Sequence, residues 1–359
     1  MAGVWWRLPL LLLGAVALVA GTAAGLARLA WPMPAALAEA AALHGPLMTC
    51  GFFGVVIALE RAVALGKAWA YGAPLLAGLG NAAALHGLSA ATPWLYGVGT
   101  LVLLAATLQV WQRQRAMFTF TLVLATACAV AGCALWALGR PIAEAAWWWL
   151  AFLVLTIAGE RLELSRFMPP SPRAGRVFVG LLAVLVAGLV LAPAAVGLRV
   201  HGLGLLGLAL WLLKQDIARR TVRGQGLTRY IAVCLLAGYA WLAVAGVVMA
   251  VLPLMQPGQP PYDAVLHALG LGFVFSMVFG HAPIILPAVL KVAVPYRPAF
   301  YVPLALLHVG VALRLAGDAA SAFGVVRVGG LLAALALAAF IGTMLVTVGR
   351  GRASRRGTR

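Results

Sequence analysis

Three observations predict an all-α, polytopic membrane bundle of about twelve transmembrane helices. Hydrophobic residues make up 64% of the 359 and charged residues only 9%, whereas about a quarter of the residues of a soluble domain are charged. Mean hydropathy is +1.03. Apolar runs of the roughly 20 residues needed to cross a bilayer recur along the whole chain, and lysine and arginine concentrate in alternate connections, the pattern of short loops retained in the cytoplasm.

The runs fall near 8–28, 40–60, 73–91, 94–112, 117–138, 143–162, 176–196, 199–215, 229–252, 264–290, 299–318 and 324–348. The first has no convincing small-residue cleavage site and reads as a retained helix. The second opens near His44 and closes on Glu60 and Arg61, and the third holds His86. The fifth contains Cys128 and Cys133, which with Cys50 and Cys234 are read as small packing residues inside spans. Glu160 and Arg161 close the sixth. The seventh is apolar throughout, the eighth opens on His201, and the ninth follows a basic loop, "DIARRTVRGQGLTR". His267 and His281 lie on the tenth, His308 on the eleventh, and the twelfth runs into the tail "RGRASRRGTR". Residues 1–349 thus form one transmembrane domain and 350–359 a basic cytoplasmic tail, with no separate soluble domain.

The formal net charge is +18, but topology places the basic residues. Arg7, Arg61, Lys67, Arg113, Arg115, Arg161, Arg166, Arg173, Arg176, Lys214, Arg219, Arg220, Arg223, Arg229, Lys291, Arg297 and the tail arginines share one side, against Arg28, Arg140, Arg199, Arg314 and Arg327 on the other. Both termini are therefore predicted in the cytoplasm of a cell inner membrane. Anionic lipid headgroups explain the excess charge without a nucleic-acid partner.

An echo between "VIALERAVALGKAWAYGAP" and "TIAGERLELSRFMPPSP" sets Glu60 and Glu160 at matching places. It predicts three pseudo-equivalent four-helix units in which spans 2, 6 and 10 correspond. His44 and His267 then share an outer depth, and Glu60 and His281 an inner one roughly 21–24 Å below at 1.5 Å per residue. The acidic residues read either as salt-bridged helix ends or, with His281, as a proton or ion path through Glu60 and Glu160. Four histidines fall in the outer half: His44, His86, His201 and His267. A lone intramembrane histidine usually bonds a neighbouring helix, but four at one level make a metal or haem site a candidate, since imidazole is a common axial ligand. With neither CxxC nor CxxCH present, zinc ribbons and c-type haem are disfavoured.

The stretch "HGPLMTCGFFG" resembles the helix of haem–copper oxidase subunit I that carries an axial haem ligand, and "HALGLGFVFSMVFGH" is similar to that family's tenth helix. Residues 198–248, with the histidine-led "HGLGLLGLALWLLKQ", resemble the NnrS family of haem-containing membrane proteins linked to nitric oxide. Here Gln225 stands where that family's loop has histidine. The resemblance implies haem b held by His44 and His267, with Met48 and Phe52 walling an apolar slot, His201 and His86 as further cofactor candidates, and a small gas or an electron donor as partner. It implies a role in nitric oxide or respiratory stress handling. Copper-dependent oxygen reduction is not implied, because span 6 has no histidine and no His-His pair occurs. The competing classes are a proton- or ion-coupled transporter or channel without cofactor, and a scaffold whose histidines only pack. No catalytic residue is assigned, and whether the chain is an enzyme is left open.

Overall fold

In lipid, backbone N–H and C=O groups must be satisfied within the segment, so each apolar run forms a helix. A computed structural model of the chain describes residues 4, 6–165, 171–252 and 256–356. Arg166 and the last three residues of the tail lie outside the described residues. The helices are α1 Arg7–Arg28, α2 Ala35–Leu65, α3 Gly72–Leu85, α4 Thr92–Arg113, α5 Met117–Ala137, α6 Ile142–Ser165, α7 Pro172–Val190, α8 Ala195–Gln215, α9 Gly226–Val251, α10 Pro260–Leu290, α11 Pro298–Ala319 and α12 Phe323–Arg356. No strand occurs among the described residues. The predicted all-α membrane fold is thus observed. Eleven helices are long and apolar enough to cross a membrane. The helix in the third run is α3, with only 14 residues, entered through a 3-10 turn at Ala68–Tyr71.

The helices gather into two compact units. The first comprises Met1–Glu160 and Ile285–Lys291, the second Arg161–Ile284 and Val292–Arg359. Within the first, α1 offers α2 a small-residue face of Gly14, Ala17, Gly21 and Ala24, all buried. Such faces let membrane helices approach closely where hydrophobic burial gives no drive to associate. A β-carbon on Gly14 would lie 3.1 Å from Val55 Cγ1, and one on Gly21 would lie 2.7 Å from Met48 Sδ. Within the second unit neighbours meet backbone to backbone: Gly202 of α8 lies against Ala250 and Gly246 of α9, and Gly310 of α11 against Ala333 and Gly329 of α12. Any β-carbon at Gly202 would come within 2.7 Å of the Ala250 nitrogen.

Two helices depart from α geometry. In α2 a π-helical stretch covers Leu47–Phe53, directly after His44–Pro46; in α10 another covers Ala268–Phe275, directly after His267. Pro46 supplies no N–H to the ladder, and glycines at 51, 270 and 272 weaken regular winding. Because a π turn holds more residues than an α turn, a 3.6-residue wheel cannot relate His44 to Glu60, or His267 to His281, across these stretches.

Candidate functional site

The most polar buried cluster lies in the second unit and centres on Asp216, at the C-terminal end of α8. Its helix ends there because Asp216 leaves helical geometry, with ψ at 142°. That turns the carboxylate back to accept the Ala218 N–H at 2.8 Å. Arg161, on α6, donates to both oxygens: Nε to Oδ2 at 2.6 Å and Nη2 to Oδ1 at 3.0 Å. The Tyr239 hydroxyl, from α9, donates to Oδ2 at 2.7 Å. Both partners of the ion pair are buried, with side chains 5% and 2% exposed. Four hydrogen bonds satisfy this carboxylate, the condition under which a buried ion pair is tolerated.

His281, on α10, extends the cluster. Its Nδ1 lies 2.7 Å from the Met277 carbonyl oxygen; since a carbonyl only accepts, Nδ1 carries the proton. Nε2 is then the acceptor in the neutral ring, and it lies 3.4 Å from Arg161 Nη1. A proton on Nε2 would put an imidazolium against the guanidinium. The network is therefore compatible with neutral His281 and strained by protonated His281.

A second cluster lies at the N-terminal end of α10. Asp263 accepts from Arg314 Nε and Nη2 of α11 at 2.7 and 2.8 Å, and its Oδ1 lies 3.3 Å from His267 Nδ1. Asp318, one turn after Arg314, has a buried Oδ2 without a hydrogen-bond partner. Arg314, counted by sequence among the sparse charges of the outer side, is thus a paired side chain within the helices.

The other sequence candidates fall as follows. His44 is half-buried in the first unit. Its Nδ1–H donates to the Gly21 carbonyl oxygen at 2.7 Å, and its ring lies against Gly25, within 2.8 Å of where a β-carbon would stand. Met48 packs onto Gly21 of α1. His201 is buried and donates from Nδ1 to the Leu185 carbonyl oxygen at 2.9 Å, and His267 does the same to Asp263 at 2.8 Å. His86 is exposed just beyond α3. His308 is of the opposite tautomer, its Nδ1 accepting from Trp241 Nε1 at 2.9 Å. Glu60 and Glu160 are half-buried, on α2 and α6. No group of three or more His, Cys, Asp or Glu side chains able to hold a metal ion occurs among the described residues.

Sequence reasoning missed Asp216, Tyr239, Asp263 and Arg314. One signal was present: the chain has only three aspartates, at 216, 263 and 318, and all three sit at or near span ends in its second half.

No curated protein and no solved structure matches the chain, so the resemblance to NnrS and to oxidase subunit I rests on the quoted motifs alone. A family defined as a domain of unknown function, DUF8744, matches residues 7–349, and this multi-pass membrane protein belongs to it.

Proposed function

We propose that the chain is a proton-conducting membrane transporter or channel in which His281 controls the Arg161–Asp216 lock. The observation that carries this reading is the 3.4 Å approach of His281 Nε2 to a guanidinium held on a fully hydrogen-bonded carboxylate. Ionisable side chains within a bilayer mark functional paths by default, because their burial is costly. Histidine is the side chain whose ordinary titration lies nearest neutral pH. Protonating His281 sets like charges side by side and drives Arg161 off His281. The bidentate lock to Asp216 then bends or opens, and the helices carrying these groups, α6, the end of α8 and α10, are released from one another. A local charge change biasing a two-state element is how other proton switches work.

Protein reconstituted into vesicles containing a pH-sensitive dye tests this under an imposed potassium diffusion potential. Proton entry faster than in protein-free vesicles is expected, falling at least tenfold in His281→Gln, which stays neutral. Equal rates in protein-containing and protein-free vesicles would sink the reading.

A second reading, haem b binding in nitric oxide or respiratory stress handling, is favoured by a separate observation. His44, His201 and His267 each hold Nδ1–H on a backbone carbonyl, which leaves Nε2 as the lone-pair nitrogen of the neutral ring, the arrangement found in metal-ligating histidines. The donor chemistry fits an axial ligand, and a bound haem would supply gas binding or electron transfer. Optical spectra of purified protein, oxidised and then reduced, decide it: without a Soret band in protein made with ample haem, this reading fails.

A further inference from the structure

The first unit contains a buried thiol pair that neither functional reading uses. Cys50 lies in the π-helical stretch of α2 and Cys133 on α5, and their sulfurs approach to 3.9 Å. Both are buried, at 5% and 0% exposure. Thr49 Oγ1 lies 3.7 Å from Cys50 Sγ. Beside Cys133 stand Trp149, 1% exposed, and Thr100, whose indole N–H and hydroxyl approach its sulfur. A mostly apolar cavity about the size of one water molecule adjoins Cys50, with Thr49, Ala77, Tyr96, Thr100 and Trp149 also on its wall.

We infer that Cys50 and Cys133 form a binding site for a single soft monovalent metal ion, Cu(I) by chemical class. The separation suits it: two metal–thiolate bonds of about 2.3 Å enclose an angle of about 116° when the sulfurs are 3.9 Å apart. That is close to the trigonal angle. Soft thiolates select Cu(I) among first-row metals. Zinc wants four ligands, and no third His, Cys, Asp or Glu joins the pair among the described residues. Binding displaces the two thiol protons to solvent, leaving one positive ion on two thiolates. The site then carries one net negative charge, and the Trp149 N–H is placed to bond the Cys133 thiolate. Cys128 and Cys234, also buried, have no such sulfur partner among the described residues and serve as internal controls.

The test titrates Cu(I) without oxygen into the reduced, detergent-purified full chain against a chromogenic Cu(I) chelator. One ion per chain is expected in the unaltered protein and in Cys128→Ser/Cys234→Ser, with affinity at least tenfold weaker in Cys50→Ser and in Cys133→Ser. X-ray absorption of the loaded, unaltered chain keeps the test independent of how the variants fold, and should show two sulfur neighbours at about 2.3 Å. The inference is overturned if the unaltered chain leaves all Cu(I) on the chelator, if either single variant binds as tightly as the parent, or if copper has only nitrogen and oxygen neighbours.

Discussion

Arg161 shows how a residue can be noticed for the wrong partner. In sequence it stands beside Glu160 and reads as half of a helix-end pair, whereas its guanidinium reaches Asp216, 55 positions away. A charge partner across that distance leaves no periodicity to read, and Asp216 sits in a stretch dominated by arginines. The pair also separates structure from function. Asp216→Asn keeps the shape but leaves a buried guanidinium without its counter-charge, a change that costs about 3–5 kcal/mol. Denaturant unfolding in mixed micelles should show that loss. Replacing both partners with apolar residues, Arg161→Met/Asp216→Leu, should recover most of the stability, because buried ion pairs often do no better than well-packed hydrophobic substitutes. The double variant should nevertheless stay as slow in proton entry as His281→Gln. Recovery of both stability and flux would reduce the cluster to a structural clamp.

At the scale of elements, the sequence located the helices well, since each lipid-exposed segment must be helical over a length set by bilayer thickness. It also singled out "HGPLMTCGFFG" and "HALGLGFVFSMVFGH" as corresponding stretches. The structure gives them a shared feature, a π-helical segment directly after a histidine-bearing turn in each of two 31-residue spans. The proposed third equivalent, α6, is α-helical throughout, so the echo around Glu60 and Glu160 does not extend to this feature. The π winding itself was not legible, because glycine and proline weaken an α-helix without specifying what replaces it. What settles it locally is packing: a β-carbon on Gly272 would meet the Trp241 ring, whose indole N–H is committed to His308, while Gly270 has open space around it. The same limit applies to the thiol pair. Cys50 and Cys133 each look like a packing residue, and only the packing of the first unit brings their sulfurs together.

For the whole molecule, topology depends on the shortest helix. Twelve crossings return the chain to the side it started from, and eleven do not. At 14 residues and 1.5 Å per residue α3 covers about 21 Å, short of a hydrocarbon core of about 30 Å. The 3-10 turn Ala68–Tyr71 precedes it without a break, and four residues at about 2.0 Å each bring the pair to about 29 Å. Both ends are marked by backbone that stops a helix: Gly66 closes α2 at φ 68° and Gly87 follows α3 at φ 73°. Exposed Lys67 precedes the turn, at the interface where a cation belongs. Buried Asn81 is no obstacle to insertion, since its side chain donates to the Leu13 carbonyl oxygen and accepts from the Tyr96 hydroxyl within the helices. Segment 68–85 is thus long enough for one crossing, and the uneven distribution of lysine and arginine predicts its direction. Reporter fusions after Ser89 and after Arg359 should report opposite sides of the membrane, the periplasm for Ser89 and the cytoplasm for Arg359. If a fusion after Lys67 shares the side of the one after Ser89, α3 does not cross, and the two termini lie on opposite sides.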